Sequence, residues 1–217
     1  MINTRYHKEV NIPMGGVILK GELFITQEAE AIVIFSHGSG SSRFSIRNRM
    51  VATYLQKENF GTLLFDLLTE EEDEQYSNRF NIDLLTKRLV GTTLWLEELA
   101  AVRNCRIGYF GASTGAASAL KAAALLRQTG AVVSRGGRPD LAMENLPRVK
   151  AHTILIVGSL DQDVLKLNKE AYTQLGGEKK LEVVDGATHL FEERGKMEIV
   201  SALAANWFAK YLTPVKI

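Results

Sequence analysis

Short, uninterrupted apolar runs alternate along this chain with longer segments whose apolar residues recur at helical spacing. Ala31–Phe35 (AIVIF) is five apolar residues with no polar interruption, as expected of a strand buried on both faces. Thr62–Phe65, Arg106–Phe110, Ala131–Val133, Thr153–Val157 and Leu181–Val184 read the same way. Between them lie the predicted helices Ile46–Lys57, Ile82–Val102, Gly115–Thr129, Val164–Leu175 and Glu192–Tyr211. In the second of these, Leu85, Leu89 and Leu96 share a face, with Lys87, Arg88, Glu97 and Glu98 mostly elsewhere. Gly130 is the expected stop of helix Gly115–Thr129. Ahead of them all, Glu9–Pro13 and Val17–Thr26 are expected to pair as an antiparallel hairpin. The alternation predicts an α/β fold, with a mostly parallel sheet, right-handed crossovers and helices on both faces. No repeat, low-complexity tract or Pro/Gly/Ser linker breaks it, so residues 1–217 are expected to form a single domain. In such sheets, sites form outside the carboxyl ends of the strands, so a candidate functional residue should follow a strand.

Composition narrows the function classes. With 46% hydrophobic and 24% charged residues, the 217-residue chain is ordinary for a globular protein large enough to bury a core. A net charge of +1 supplies no field for nucleic acid or an anionic membrane. Cys105 is the single cysteine, so no intrachain disulfide forms. Met1–Asn11 carries Arg5, Lys8 and Glu9 without an apolar stretch and does not read as a signal peptide. The expectation is a cytoplasmic protein, monomer or homodimer, that acts on a small molecule and binds neither nucleic acid nor membrane.

Gly111-Ala112-Ser113-Thr114-Gly115 matches G-x-S-x-G and lies between an apolar strand and an Ala-rich helix. That strand–turn–helix context is what a nucleophile elbow requires: a turn so tight that its flanking residues are small, with the serine hydroxyl raised above the sheet beside a helix N-terminus. The competing reading of Ser113 is an ordinary helix N-cap.

A serine nucleophile needs a base. Of the four histidines, His7 lies in the N-terminal segment and His152 precedes a strand. His37 belongs to the turn after Ala31–Phe35, where its neighbours suggest another role. His189 follows the last predicted strand and is the candidate base. The acid should follow Thr153–Val157, where Asp161 and Asp163 compete. Asp161 is preferred because Gly158 and Asp161 make a G-x-x-D turn, and Asp163 is expected to cap the following helix. Two N–H donors are needed for the oxyanion of acyl transfer. The backbone of Thr114 should supply one and the loop Ser36–Ser42 the other, with Ser39 first and Gly40 second. A phosphate cradle is the rival for that loop, but no lysine follows its second glycine and neither phosphate-loop signature is complete.

With HGSGSS at His37–Ser42, GASTG at Gly111–Gly115, IVGSLDQDV at Ile156–Val164 and GATHLF at Gly186–Phe191, the chain resembles the dienelactone hydrolase-like branch of the α/β-hydrolases from about Ala31 to Tyr211. The resemblance implies the α/β-hydrolase fold, the order nucleophile, acid, histidine, and a hydrolase that needs no cofactor and no metal. One departure matters. Dienelactone hydrolases proper use cysteine, whereas here the elbow carries Ser113 and Cys105 precedes the strand. The expected activity is therefore cleavage of a carboxylic ester or related small acyl compound. The alternatives are an acyltransferase with the same triad or a non-catalytic binding protein on the same scaffold.

Other features read as follows. Glu70–Glu74, an acidic run without His or Cys nearby, is expected to be a solvated loop, and Asp66 to fix a loop by hydrogen bonding. Trp95, Trp207 and Phe208 are expected in the core. The interval between Ala131–Val133 and Thr153–Val157 is too short for a lid domain. It carries Arg135 and Arg138 at the catalytic end, either as contacts to an anionic group on the substrate or as partners of local acids such as Asp140 or Glu144.

Overall fold

Each strand-length apolar run is a strand in the computed structural model, which describes residues 2–213. The strands are β1 (Thr4–Met14), β2 (Val17–Thr26), β3 (Ala31–Ser36), β4 (Gly61–Phe65), β5 (Arg106–Ala112), β6 (Thr129–Arg135), β7 (His152–Gly158) and β8 (Lys179–Val184). They form one sheet in the order β1-β2-β4-β3-β5-β6-β7-β8. The β1–β2 and β2–β4 pairs are antiparallel and all others parallel, which is the α/β-hydrolase arrangement. The helices are α1 (Ile46–Lys57), α2 (Glu70–Glu74), α3 (Ile82–Glu97), α4 (Thr114–Leu125), α5 (Gln162–Gln174) and α6 (Lys196–Leu212).

Strand alternation divides the core in two. Ile34, Tyr109 and Val132 point to the side covered by Leu85 and Leu89 of α3, Leu120 of α4 and Ala171 of α5. Phe35, Phe110 and Val133 point to the side covered by Val51 and Leu55 of α1 and Val200 and Phe208 of α6. Covering both faces explains why β3 and β4 are apolar at nearly every position. Trp207 is buried, with its indole N–H on the His152 carbonyl at 3.0 Å, and Trp95 packs half-buried against the first core. Between β6 and β7 lies a 3-10 segment, Pro139–Arg148, and no lid.

The structure corrects several expectations, among them the start of the last helix, which begins at Lys196 and not at Glu192. Gly130 does not stop a helix: α4 ends at Leu125 and β6 begins at Thr129. A Cβ at Gly130 would sit 2.8 Å from a methyl of Leu212, so the position is small to let α6 pack on the sheet. Helix Ile82–Val102 ends at Glu97, with a separate 3-10 turn over Ala100–Val102. Glu70–Glu74 is not a loop but the short helix α2, capped at Thr69 with Glu72 closing a capping box. Glu72 also pairs with the nearly buried Arg88, and Asp73 with Arg79 at 2.8 Å, so this acidic run is partly neutralised. Among the described residues no helix is long and apolar enough to cross a membrane.

Candidate active site

The residues singled out along the chain gather at the carboxyl ends of β3, β5, β6, β7 and β8. Ser113 joins β5 to α4 with φ +51° and ψ −122°, a conformation that a side-chain-bearing residue adopts only when its surroundings enforce it. Two glycines make this turn possible. A Cβ on Gly111 would lie 2.5 Å from the Ala116 Cα, and one on Gly115 would lie 2.1 Å from the Ser36 carbonyl oxygen. Ser113 occupies the N-cap position of α4 but makes no capping bond with its side chain, and its hydroxyl has no partner among the described residues. The ordinary N-cap reading therefore does not describe this serine.

The acid turn and the histidine loop are fastened together. The Asp161 N–H donates to the Gly158 carbonyl at 3.1 Å, closing the expected turn. The Leu160 N–H donates to the Ala187 carbonyl at 3.0 Å and the Ser159 N–H to the Val184 carbonyl at 2.9 Å. Across this clamp, His189 Nδ1 and Asp161 Oδ2 are 2.6 Å apart, with the carboxylate largely shielded at 14% exposure. A carboxylate accepts, so Nδ1 carries the proton and Nε2 is the free basic nitrogen. Of the two candidate acids, Asp161 is the one that contacts the histidine. Asp161 holds His189 and itself occupies the N-cap position of α5, without a side-chain capping bond. Asp163 is not the cap, as the sequence had suggested, but an exposed residue in the helix's first turn. The end of β6 and the residue after it touch both the serine turn and the histidine. The Ser113 N–H donates to the Arg135 carbonyl at 3.2 Å, and a Cβ on the next residue, Gly136, would lie 3.5 Å from the His189 ring. Phe191, two residues after the histidine, is fully buried with φ +58° and anchors this loop.

The loop after β3 lies against Ser113: a Cβ on Gly38 would be 3.1 Å from the Ser113 Cβ. Here the structure adds what the sequence did not show. The Ser39 N–H donates to the Thr114 hydroxyl at 2.9 Å, so the N–H expected to face the oxyanion is engaged by a side chain of the elbow. Gly40 turns the loop with φ +67°. His37 fastens the same loop. Its Nε2 accepts the Leu67 N–H at 3.0 Å and its Nδ1 donates to the Gly38 carbonyl at 3.0 Å, which fixes one neutral tautomer. Asp66 holds the far end of the loop, accepting the Arg43 backbone N–H at 2.7 Å and pairing with its guanidinium. An open groove of about 980 Å³ adjoins it, lined by His37, Ser42, Arg43, Phe44 and Asp66.

Burial holds His37 below the usual histidine range, against the opposing pull of the Gly38 carbonyl and the Asp66 and Asp73 charges. A lowered folded-state pKa means that the unfolded chain takes up the proton first. Stability is therefore complete above about pH 6.5 and is lost as pH falls through that value toward the lower folded one. Melting temperature should accordingly fall between about pH 7 and 5, and fall less steeply in His37→Gln. Identical slopes would show that the loop tolerates a charged His37.

Arg135 and Arg138 differ. Arg138 holds Asp140 through two bonds of 2.9 and 2.8 Å, the local structural partnership that was one of its two expected roles. Arg135 is buried, with no acid beside it. Cys105 sits at the opposite end of β5, where burial pushes its thiol pKa up, so it is no nucleophile here. Among the described residues no cluster of three or more His, Cys, Asp or Glu could hold a metal.

No family profile matches the chain. Its sequence is 52% identical over 206 residues to a Mycobacterium tuberculosis protein named "Putative phosphoribosyl transferase" in each of two strains. That alignment takes in 94% of this chain but only 46% of the relative, so the chain spans about half the length of the proteins it matches. Among solved structures, the dienelactone hydrolase from Anabaena variabilis is 50% identical with a TM-score of 0.93, covering 96% of this chain and 99% of that one. Est1E from Butyrivibrio proteoclasticus (14% identity, TM-score 0.80, 93% and 98% covered) and the Pyrococcus furiosus esterase Pf2001 (19%, 0.79, 96% and 94%) share the fold. Near-complete mutual coverage at half identity places this sequence among those hydrolases: the chain belongs to the dienelactone hydrolase family of the α/β-hydrolases.

Proposed function

We propose that this protein is a serine hydrolase that cleaves a carboxylic ester or related small acyl compound through an acyl-enzyme on Ser113. The observation that carries the reading is the Ser113 backbone, a non-glycine residue at φ +51° whose hydroxyl neither caps its helix nor bonds elsewhere. Strain of this kind persists where the surroundings over-determine it, and here it leaves a hydroxyl unengaged at the same end of the sheet as the carboxylate-oriented His189. In this mechanism Ser113 Oγ attacks the acyl carbonyl and His189 Nε2 takes its proton. Asp161 keeps the imidazole in the required tautomer and stabilises the imidazolium. His189 then protonates the departing alcohol, and water repeats the sequence to release the acid. Cytoplasmic location and action on a small acyl substrate, as monomer or homodimer, belong to the same proposal.

The negative oxygen of the tetrahedral intermediate lies at the N-terminus of α4, where the Thr114 N–H points to it. The second donor is the Ser39 N–H, which Thr114 Oγ1 holds in place until the oxyanion forms. Removal of one such contact costs about 10²–10³ in kcat in other hydrolases, and loss of its support should cost somewhat less. Thr114→Val is therefore expected to lower kcat by about 10- to 100-fold with KM little changed, and Thr114→Ser to restore it. A faster Thr114→Val enzyme would show instead that the hydroxyl competes for the Ser39 N–H.

The direct test of the reading is a fluorophosphonate probe followed by peptide mapping. Labelling confined to Ser113 and absent in His189→Ala supports the hydrolase. An unlabelled, folded protein sends it to the non-catalytic alternative. Product analysis with a competing alcohol separates hydrolysis from acyl transfer. The phosphoribosyl transferase name belongs to proteins about twice this length, and the site offers no feature that favours such chemistry here.

A further inference from the structure

β8 forms one edge of the sheet, and β7 is its only strand neighbour among the described residues. The bonds to β7 fix which of its backbone groups are used. The Thr153 N–H donates to the Glu178 carbonyl and the Ser159 N–H to the Val184 carbonyl, both at 2.9 Å. Alternation along the strand turns the backbone groups of Lys180 and Glu182 toward β7 as well, and those of Lys179, Leu181 and Val183 outward. The outward groups are a row of donors and acceptors on which a further strand can add. Apolar surface accompanies them: Val183 is 44% exposed, and Leu181 is only half-buried against the first core. The other sheet edge, β1, is a poorer template, because its register is irregular between Thr4 and Tyr6 and Pro13 has no N–H to give.

We propose that β8 is a homodimer interface, in which the β8 strands of two copies pair antiparallel about a two-fold axis at Leu181 and join the two sheets into one. Charge selects this occupant and this register. Outward-facing residues exchange the hydrogen bonds, so Leu181 meets its own copy and Lys179 meets the partner's Val183. Lys180 then stands opposite the partner's Glu182, and Glu182 opposite the partner's Lys180. Within one chain Lys180 and Glu182 already pair along the strand, so two copies close a ring of four alternating charges. Opposite charges directly across two strands stabilise the pairing, and like charges destabilise it. Neighbouring registers fail on that count. An axis at Lys179 or Lys180 opposes two ammonium groups, and an axis at Glu182 opposes two carboxylates. An axis at Val183 runs most of the pairing into the loop after β8. The lysines that discourage other strands from adding here are thus satisfied by a second copy. A contact made by one short strand is small, so association should be weak and concentration-dependent. The inference goes beyond the hydrolase reading and does not rest on it.

Register is tested by disulfide trapping in a Cys105→Ser background, where the introduced thiol is the only one. In a hydrogen-bonded antiparallel pair the Cα atoms stand about 5.5 Å apart, within the span of a disulfide. Leu181→Cys should therefore give a covalent dimer on mild oxidation. Val183→Cys should not, because the axis at Leu181 sets the two copies of position 183 about 13 Å apart. Association is tested on the unaltered chain by sedimentation velocity from about 1 µM to 1 mM, the range in which weak complexes dissociate. The 24.0 kDa chain should shift toward twice that mass as concentration rises. Lys180→Glu or Glu182→Lys alone should weaken association about tenfold or more, since each turns two attractive cross-strand pairs into repulsive ones. The double exchange Lys180→Glu/Glu182→Lys should restore it. Val183→Pro removes an outward N–H without touching the ladder to β7 and should give a folded monomer. If the proline variant does not fold, the charge exchanges, at partly exposed side chains, decide the matter. A chain that stays monomeric throughout with no selective trapping at Leu181→Cys, or a dimer indifferent to the charge reversals, would overturn the proposal. Neither arm reads turnover, so failure here is distinct from failure of the hydrolase reading.

Discussion

Ser113→Ala should lower kcat for ester hydrolysis by about 10⁴- to 10⁶-fold while leaving the fold intact, because the nucleophile, base and acid of a triad act as a unit. On the proposed mechanism the residual rate should remain above the uncatalysed one, since the substitution leaves the proposed oxyanion donors, the Thr114 and Ser39 N–H groups, unaltered. The structural half of the expectation follows from the elbow. Alanine keeps the Cβ that the turn at φ +51° already accommodates, and the lost hydroxyl makes no hydrogen bond within the chain. Melting temperature should therefore move by a degree or two at most, either way. Turnover by a folded, purified Ser113→Ala above about a tenth of wild type would remove Ser113 from the chemistry. A large drop accompanied by unfolding would show that the hydroxyl supports structure instead.

The sheet was legible because its central strands are covered on both faces. Runs such as AIVIF leave little alternative to a buried parallel strand. The elbow was legible for a related reason: packing between β5, α4 and the loop after β3 forces small residues around Ser113, and the G-x-S-x-G spacing records that crowding. What the sequence obscured depends on which neighbour a side chain meets. Gly130 reads as a helix stop by local rules, yet Leu212 of α6, far along the chain, dictates its size. Glu70–Glu74 reads as a solvated charge run, but a capping box and the distant Arg88 make it a helix. Arg135 and Arg138, three residues apart in one glycine-containing stretch, were indistinguishable until strand alternation buried the first and Asp140 engaged the second. The Ser39–Thr114 contact joins residues 75 positions apart and has no local signal at all.

The choice between two carboxylates two residues apart yields the second large expectation. Asp161→Asn should lower kcat by about 10⁴-fold, and Asp163→Asn should leave it within about twofold. The difference arises at one hydrogen bond. Asp161 Oδ2 stands 2.6 Å from His189 Nδ1 and, as a pure acceptor, requires the ring proton there, which keeps Nε2 free to take the serine proton. An asparagine in the same place can turn its NH₂ toward Nδ1 and stabilise the opposite tautomer, with Nε2 already protonated and useless as a base. It also withdraws the negative charge that would stabilise the imidazolium. Stability should change little, because the Asp161 side chain does not cap α5 and the turn is closed by its backbone N–H on Gly158. Asp163 is exposed in the first turn of α5, where its charge meets the positive end of the helix dipole. Its loss should cost roughly 0.3–1 kcal/mol of stability and no turnover. If the rates of matched folded samples ranked the other way, with Asp163→Asn the crippled enzyme, the acid would be Asp163. The 2.6 Å contact at His189 would then be only the clasp that joins the β7 and β8 loops.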